Sequence, residues 1–335
     1  MATLREVAKR ADVSVATASR VTNAPNTVRP DTRSRVERAM RELLYVPPGR
    51  PQTSGAIGLL VPELANPIFP ALAQAMETRA TELGYASILC NTAGSARREA
   101  DYVHMLLERR VEGMIFISCE MTDLRGDHAH YARLLADGAR LVFVNGAIDT
   151  LHVTSVGVDE RAAGQLATQH LIDLGHSRIA FVAGPEHVLP TREKGAGREA
   201  ALRAAGLDSA ELVAHGDFSI DGGRAALREL VGNGRGRPTA VICSSDLMAI
   251  GALQAARAAG LRVPEDLSIV GFDGIEAAAW TNPPLTTVVQ PIEDIARVAV
   301  DALRTLIEEP PRVMPHFVFR PRLRAGGSTA PPPAP

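Results

Sequence analysis

The chain has 335 residues, of which 46% are apolar and 22% charged, as is typical of a globular protein, and this composition excludes wholesale disorder. At roughly 150 residues per domain, this length predicts about two domains. No run of 18 apolar residues occurs, and the N-terminus has no apolar segment, so neither a transmembrane helix nor a secretory signal is predicted. Three widely spaced cysteines without a CxxC pair are typical of a reducing cytoplasm and argue against a structural zinc site.

The net charge of −2 hides an asymmetry along the chain. Residues 1–50 carry ten Lys or Arg and five Asp or Glu, a net charge of +5, whereas the other 285 residues carry 26 and 33, a net charge of −7. A small basic head on a larger acidic body is expected of a DNA-binding module joined to a domain that does not bind DNA. A chance surface imbalance would give the same numbers, so charge alone leaves the question open.

The first fifty residues predict three short helices. Thr3 and Glu6 have the spacing of a capping box, and apolar residues then recur at helical spacing. Asp12 tolerates the left-handed conformation that a tight turn needs, and it separates this helix from a second one over residues 15–22. A third amphipathic helix follows Pro30. Two helices joined by such a turn form a helix-turn-helix, although a three-helix bundle without a DNA-binding role has the same spacing.

In a helix-turn-helix, the N-terminal part of the second helix enters the major groove of DNA. Val15 and Ala16 can offer only apolar contacts there, for example to a thymine methyl group. Arg20 can bond bidentately to O6 and N7 of guanine. The polar side chains that suit phosphate oxygens are those of Ser14, Thr17, Ser19 and Asn23.

The run TLREVAKRADVSVATASRVTN, followed by VRPDTRSRVERAMRELLYVP, resembles the headpiece of LacI-family transcriptional regulators. The resemblance is dense over residues 3–47, and it departs at Asp12, where the family usually has Gly. It implies that Val15, Ala16 and Arg20 read bases. The residues that it implies contact the DNA backbone are Thr3, Ser14, Thr17, Ser19, Asn23 and Tyr45.

A linker is predicted over residues 47–55, because three prolines and two glycines do not form a helix. The family normally has a hinge helix in this region, which folds on the operator and inserts a leucine into the minor groove. That block is absent here. Coupling between effector and DNA through the folding of this helix is therefore not expected, and minor-groove kinking should be weak or missing.

From Ile57 onwards, apolar strands alternate with amphipathic helices. The predicted strands cover residues 56–61, 86–90, 113–118, 141–145, 155–159, 178–183, 240–244, 267–272 and 286–290. The predicted helices include residues 69–83, 97–110, 160–174, 191–205 and 246–259. This alternation predicts parallel sheets with helices on both faces, and two lobes would account for the number of strands. Ligands bind beyond the carboxyl ends of such strands, so the cleft between the lobes is the expected site.

The body also resembles the periplasmic-binding-protein-like effector domain of the LacI family. The resemblance covers about residues 56–324 and is carried by HLIDLGHSRIAFVAGP, SSDLMAIGAL and LSIVGFDGIEAAAWTNPPLTTVVQP. The implied fold class is α/β, with a small all-α helix-turn-helix headpiece followed by a two-lobed periplasmic-binding-protein-like domain with parallel sheets. The implied domains are a headpiece at 1–46, an N-lobe at about 56–154 and 288–316, and a C-lobe at about 155–287 and 317–324. The low-complexity tail, residues 325–335, is predicted to be disordered.

Effector contacts transfer from the family one position at a time. Asp273, Asn145 and Gln290 each stand at or just after the end of an apolar strand, and Phe69 could stack on a ring. Two positions depart from the family, which usually has Arg at position 194 and Asn at position 245. The implied effector-binding residues are Phe69, Asn145, Lys194, Ser245, Asp273 and Gln290. The expected ligand is a small polar molecule, a carbohydrate or a nucleoside, although each residue could instead cap a helix or satisfy a loop.

Two other classes of protein compete with this interpretation. An enzyme is disfavoured because GxSxG, a Walker loop and HExxH are all absent, and Cys243 and His176 fit structural roles. No catalytic residue, metal or cofactor is therefore expected. A solute-binding receptor would share the two-lobed fold, but it would need a signal peptide and would lack the basic head.

One recognition helix reads only a few base pairs, so a homodimer on a pseudo-palindromic operator in double-stranded DNA is expected. The resemblance implies that a helix from Ile275 to Trp280 lies in the dimer interface, with these two residues as contacts. The sequence thus predicts a cytoplasmic, ligand-responsive repressor that binds no membrane. It does not reveal the operator, the effector or the direction of the response.

Overall fold

A computed structural model describes residues 2–23, 27–43, 45, 55–207, 212–232, 237–309 and 313–333. The chain divides into two compact units, Met1–Ser54 and Gly55–Pro335. Apart from Gly55, the predicted linker lies outside the described residues, and so does the prediction that the hinge helix is absent. No described helix has both the length and the apolar character needed to cross a membrane.

The described part of the first unit is a helical bundle. Its helices are α1 (Leu4–Arg10), α2 (Val15–Asn23) and α3 (Pro30–Glu42). The capping box at α1 is present, since the Thr3 hydroxyl accepts from the Glu6 N–H at 3.3 Å and the Glu6 carboxylate accepts from the Thr3 N–H at 2.6 Å. Asp12 adopts a φ of 51°, and the Arg35 guanidinium donates to the carbonyl of Asp12 at 2.8 Å, which holds the turn between α1 and α2. The predicted helix-turn-helix is confirmed.

A small apolar core fixes these helices against each other. Its buried members come from all three helices and the turn: Val7, Ala8, Ala11, Ala18, Val21, Val36 and Ala39. The alanines allow close approach of the helix backbones, and the valines fill the space between them. The inner faces of the three helices pack in this core, so the outer face of α2 is exposed to solvent.

The second unit alternates strands and helices, as the sequence predicts. Its first half contains β1 (Gly55–Val61), α4 (Ile68–Glu82), β2 (Tyr85–Asn91), α5 (Ala96–Glu108), β3 (Gly113–Ile117), α6 (Ala129–Ala136), β4 (Leu141–Val144), β5 (Thr154–Val158) and α7 (Glu160–Asp173). Its second half contains β6 (Ile179–Ala183), α8 (Leu189–Ala204), β7 (Val213–His215), α9 (Ile220–Gly232), β8 (Ala240–Cys243), α10 (Asp246–Ala258), β9 (Ser268–Asp273), α11 (Ala277–Trp280), β10 (Thr286–Val289), α12 (Ile292–Glu308), β11 (His316–Phe319) and β12 (Arg322–Arg324).

Within the described residues, these strands form two six-stranded sheets. The first sheet has the order β11-β5-β4-β3-β1-β2, and all its strand pairs are parallel. The second has the order β12-β10-β9-β8-β6-β7, in which only the β12–β10 pair is antiparallel. Strands β3, β4, β6, β8 and β9 are buried along their whole length, as expected where helices cover both faces of a parallel sheet. The predicted two-lobed α/β fold is confirmed.

The positions where the chain crosses between the lobes differ from the prediction by a few residues. Residues 155–158 were expected in the C-lobe, but β5 pairs with β4 and β11 in the first sheet. Residues 288–289 were expected in the N-lobe, but they belong to β10 of the second sheet, and residues 317–319 belong to β11 of the first sheet. The crossings therefore lie at 158–160, 289–292 and 319–322. Hydrogen bonds between strands determine which lobe each segment belongs to, and hydrophobic periodicity in the sequence carries no information on strand pairing.

The tail is not disordered over residues 325–333, so that prediction is wrong. The buried Ser328 hydroxyl accepts from the Thr286 N–H at 2.8 Å and donates to the Ile269 carbonyl at 2.6 Å. The Ala330 carbonyl lies 2.8 Å from Nε2 of His176. Small residues make this packing feasible, since a Cβ added at Gly326 would lie 2.4 Å from a backbone oxygen of Pro284. The small residues of this low-complexity tail let its backbone approach the second sheet closely.

Replacing Ser328 by alanine is expected to lower the free energy of unfolding by about 1–3 kcal/mol, because the buried Thr286 N–H loses its acceptor. Urea denaturation of the full chain, followed by circular dichroism, measures this change. Pro333→Ala, at an exposed position of the same tail, is the matched control. Equal stability of the two variants would show that the tail does not pack against the second sheet.

Candidate functional site

The outer face of α2 presents the residues predicted to read bases. Val15 is 44% exposed, and Ala16 and Arg20 are also exposed. The Ser14 hydroxyl accepts from the Thr17 N–H at 3.1 Å and lies 2.9 Å from the Thr17 hydroxyl, so it caps this helix. An apolar patch beside a guanidinium on an exposed recognition helix can contact a thymine methyl group and a guanine together.

The other predicted DNA contacts have structural roles or less exposure. Thr3 caps α1, and Tyr45 packs against the headpiece core. Ser19 is half-buried on α2, and the side chain of Asn23 lies outside the described part of the chain. Their contacts with the DNA backbone stay predictions.

A cavity of about 290 Å³ lies between the two lobes of the second unit, and we call it the cleft cavity. All six predicted effector residues line it: Phe69, Asn145, Lys194, Ser245, Asp273 and Gln290. Phe218, which follows β7, also lines it, so each lobe offers an aromatic ring. A cavity of this size with a few convergent polar groups suits a small organic ligand.

A chain of hydrogen bonds links the two lobes across the cleft cavity. The Asn145 amide donates to Oε1 of Gln290 at 3.1 Å, and the Gln290 amide donates to Oδ1 of Asp273 at 3.0 Å. Asn145 (φ 58°) and Asp273 (φ 109°) both adopt left-handed backbone conformations, a strain that clusters at binding sites. Among the described residues, no donor reaches the buried Oδ1 of Asn145, so this atom can accept from a ligand hydroxyl.

Asp273, the last member of this hydrogen-bond chain, interacts with a second buried carboxyl group, that of Asp246. Asp246, the first residue of α10, accepts from the N–H groups of Gly274 and Ile275 at 2.8 and 2.9 Å and from the Thr287 hydroxyl at 2.6 Å. Burial, and then the charge of Asp246, raise the pKa of Asp273 to about 8. Burial also raises the pKa of Asp246, while its three donors oppose that change. Among the described residues, the Asp273 carboxyl group accepts only from the Gln290 amide, whereas Asp246 has three donors. Asp273 is therefore the carboxyl group of this pair that holds a proton more readily and can donate to a ligand.

The remaining predicted residues contact other parts of the site. Lys194 Nζ lies 2.8 Å from Oε2 of Glu160 and 5.0 Å from the ring centroid of Phe272. Ser245 is the N-cap of α10, accepting from the Met248 N–H at 3.3 Å, so its hydroxyl is already used by a helix.

A buried acid on α5 escaped the sequence analysis. Glu99 is 2% exposed and lines the cleft cavity, and its carboxylate accepts from the Tyr131 hydroxyl and, at 3.0 Å, from the Glu120 N–H. Glu99 shares a helical face with the buried Val103 and Leu106. In the sequence, the signal for this buried acid is a glutamate that lies on the same helical face as apolar residues.

A second connection between the lobes lies at residues 123–124 and 187–188. The Leu124 N–H donates to the His187 carbonyl at 2.8 Å, and Asp123 and Val188 form an isolated antiparallel bridge. The Asp123 carboxylate is 3.8 Å from Nε2 of His187. The lobes are therefore in contact on this side of the cleft cavity as well as through Gln290.

The two predicted dimer contacts, Ile275 and Trp280, differ in exposure: the first is buried and the second is exposed. Ile275 is buried in the apolar core and its N–H bonds to Asp246, so it is not available to a partner and that prediction is wrong. Helix α11 spans only Ala277–Trp280, and Trp280 is 72% exposed. Trp280 alone stays a candidate for a contact between subunits.

Comparisons with known proteins agree with this architecture. The family described as bacterial regulatory proteins, lacI family, matches residues 3–48, and the periplasmic binding protein-like domain matches residues 168–329. The HTH-type transcriptional regulator MalR of Streptomyces coelicolor is 40% identical over 338 residues, covering 98% of this chain and 96% of the relative. The ribose operon repressor of Escherichia coli is 34% identical over 340 residues, covering 98% and 100%.

Solved structures of similar proteins span both units. The complex of the transcriptional regulator CelR with cellobiose has a TM-score of 0.75 and 33% identity, covering 98% of this chain and 100% of that one. The lac repressor dimer bound to operator and the anti-inducer ONPF has a TM-score of 0.76 and 29% identity, covering 98% and 99%. The helix-turn-helix, the two lobes and these full-length relatives together establish that this chain belongs to the LacI family of helix-turn-helix transcriptional regulators.

Proposed function

We propose that this regulator is a repressor whose affinity for a pseudo-palindromic operator is controlled by a sugar-like effector bound in the cleft cavity. The hydrogen-bond chain from Asn145 through Gln290 to Asp273 supports this proposal most directly. It offers an unused acceptor on one lobe and a carboxyl group on the other. A ligand with several hydroxyl groups can bond to both at once.

The aromatic residues support a ring-shaped ligand. Phe69 belongs to the first lobe and Phe218 to the second, and both line the cleft cavity. The apolar faces of a sugar ring pack well on aromatic rings, while its hydroxyl groups bond to the polar residues at the strand ends. A similar solved structure contains cellobiose and another contains ribose, which agrees with this chemistry.

An effector that bonds to both lobes can change DNA binding only by favouring one arrangement of the lobes over another. The recognition helix α2 reads only a few base pairs, so we infer that two subunits bind two half-sites. The lac repressor in the similar solved structure is a dimer on its operator. The exposed Trp280 is the proposed anchor between subunits, and a protein with these partners acts in the cytoplasm.

The function is tested by selecting bound sequences from random duplexes with the purified full chain, and by repeating the selection with cellobiose, ribose and adenosine. We expect an enriched palindrome and a change in its retention with one of the sugars. A library with scrambled half-sites is the control. No enriched palindrome would contradict operator binding, whereas a response to adenosine alone would assign the cavity to nucleosides.

A further inference from the structure

Carboxyl groups dominate the charge of the cleft cavity. Its acidic lining residues are Glu63, Glu99, Glu120, Asp123, Glu160 and Asp273. Among the described lining residues, the only Lys or Arg is Lys194, with His187 as a further titratable nitrogen base. The acidic groups already crowd each other, since burial and the charges of Glu99 and Asp123 raise the pKa of Glu120.

The charge of Lys194 is matched within the chain. Its ammonium group lies 2.8 Å from the Glu160 carboxylate, and the two side chains are only 6% and 15% exposed. Glu160 begins α7 and Lys194 lies on α8, which pack against each other, so the helices fix both partners. A buried pair of this kind is poorly screened by salt. The ammonium group keeps two further donors for ligand hydroxyls but little net charge for an anion.

The Asp123 carboxylate pairs with Arg125 at 2.9 Å, and Asp273 holds its proton more readily than an ordinary carboxyl group because burial raises its pKa. An anionic ligand would still meet the carboxyl groups of Glu63, Glu99 and Glu120, and the described lining offers it no Lys or Arg without an acidic partner. Like charges repel strongly where the surroundings exclude water, and such groups discriminate against the wrong ligand more than they strengthen the right one. An Arg without an acidic partner at position 194 would instead bind a phosphate or carboxylate bidentately. Because Lys194 is already paired with Glu160, it offers an anion neither a bidentate contact nor a full positive charge.

We propose that the Glu160–Lys194 ion pair makes the cleft cavity selective for uncharged saccharides and excludes their phosphorylated and acidic derivatives. This inference rests on the proposed function, because it names the ligand class of the same cavity.

Calorimetric titration of the full chain tests the selectivity with three matched sets: cellobiose and cellobionate, ribose and ribose 5-phosphate, and glucose and glucose 6-phosphate. We expect the uncharged member of at least one set to bind at least tenfold more tightly than its anionic partner. Equal or tighter binding of an anionic member overturns this inference and leaves the sugar-controlled repressor in place. No binding in any set contradicts the carbohydrate effector itself.

The variant Glu160→Gln tests the role of the ion pair. The amide keeps the length and an acceptor for Nζ but removes the negative charge, so the ratio of anionic to uncharged affinity should rise at least tenfold. Glu193→Gln is the matched control, because Glu193 adjoins Lys194 on α8 but pairs with Arg161 at 3.4 Å and does not line the cavity. An unchanged ratio in Glu160→Gln overturns the assignment. If this variant does not fold, the ratio of anionic to uncharged affinity measured with the unmodified chain still tests the proposed selectivity.

Discussion

Arg20→Ala is expected to weaken operator binding by about 1–3 kcal/mol and to relax the preference at one base pair of each half-site. The reason is geometric, because a guanidinium can bond to O6 and N7 of a guanine at the same time and alanine can bond to neither. Arg20 is exposed on α2, so its loss removes no contact from the headpiece core. Fluorescence anisotropy with the selected operator and its single-base variants, at constant salt, measures both effects.

Arg38→Ala is the control for the loss of one positive charge, since Arg38 is exposed on α3 of the same unit. This variant should bind all operator variants slightly more weakly and without a change in base preference. If Arg20→Ala matched this behaviour, Arg20 would be a phosphate contact. If it bound as tightly as the unmodified chain, α2 would not be the recognition helix.

Asp273→Ala is expected to reduce effector affinity by about 1.5–3 kcal/mol, more than tenfold, because a buried hydrogen-bonding carboxyl group is lost from the cleft cavity. Operator binding without effector should be unchanged. The substitution should also be tolerated by the fold, since the raised pKa of Asp273 shows that burial disfavours its charged form. Effector-dependent operator release and calorimetric titration with the responding sugar measure the loss.

The matched control is Asp266→Ala. Asp266 precedes β9 and pairs with Arg262, whereas Asp273 ends the same strand at the cavity. Asp266→Ala should keep the effector response. A retained response in Asp273→Ala would remove this carboxyl group from the site, and a loss in both variants would point to damage of β9.

The sequence predicted the convergence of the effector residues well, because parallel strands end at a common edge. Asn145 after β4 and Asp273 at the end of β9 follow apolar runs that could be read directly. The strained backbone at both positions was not predictable from periodicity. Similarly, the capping box and the turn at Asp12 depend on residues close in the chain, and both were found.

Features that depend on distant partners were not predicted. Glu99 needs Tyr131, 32 residues away, and no local pattern reports that pairing. The family resemblance implied that Ile275 lies in the dimer interface, but its N–H bonds to Asp246 and its side chain is buried in the core. The tail has a composition typical of disorder, and only the second sheet shows why Ser328 is buried.

The interleaved course of the chain has a practical consequence for building hybrid regulators. Because the backbone passes between the lobes at 158–160, 289–292 and 319–322, neither lobe is a contiguous stretch of sequence. A chimaera that exchanges one whole lobe with that of a homologue needs three junctions rather than one. A single splice at residue 158 would separate β5 from β11 and leave a hybrid sheet whose strands evolved in different molecules.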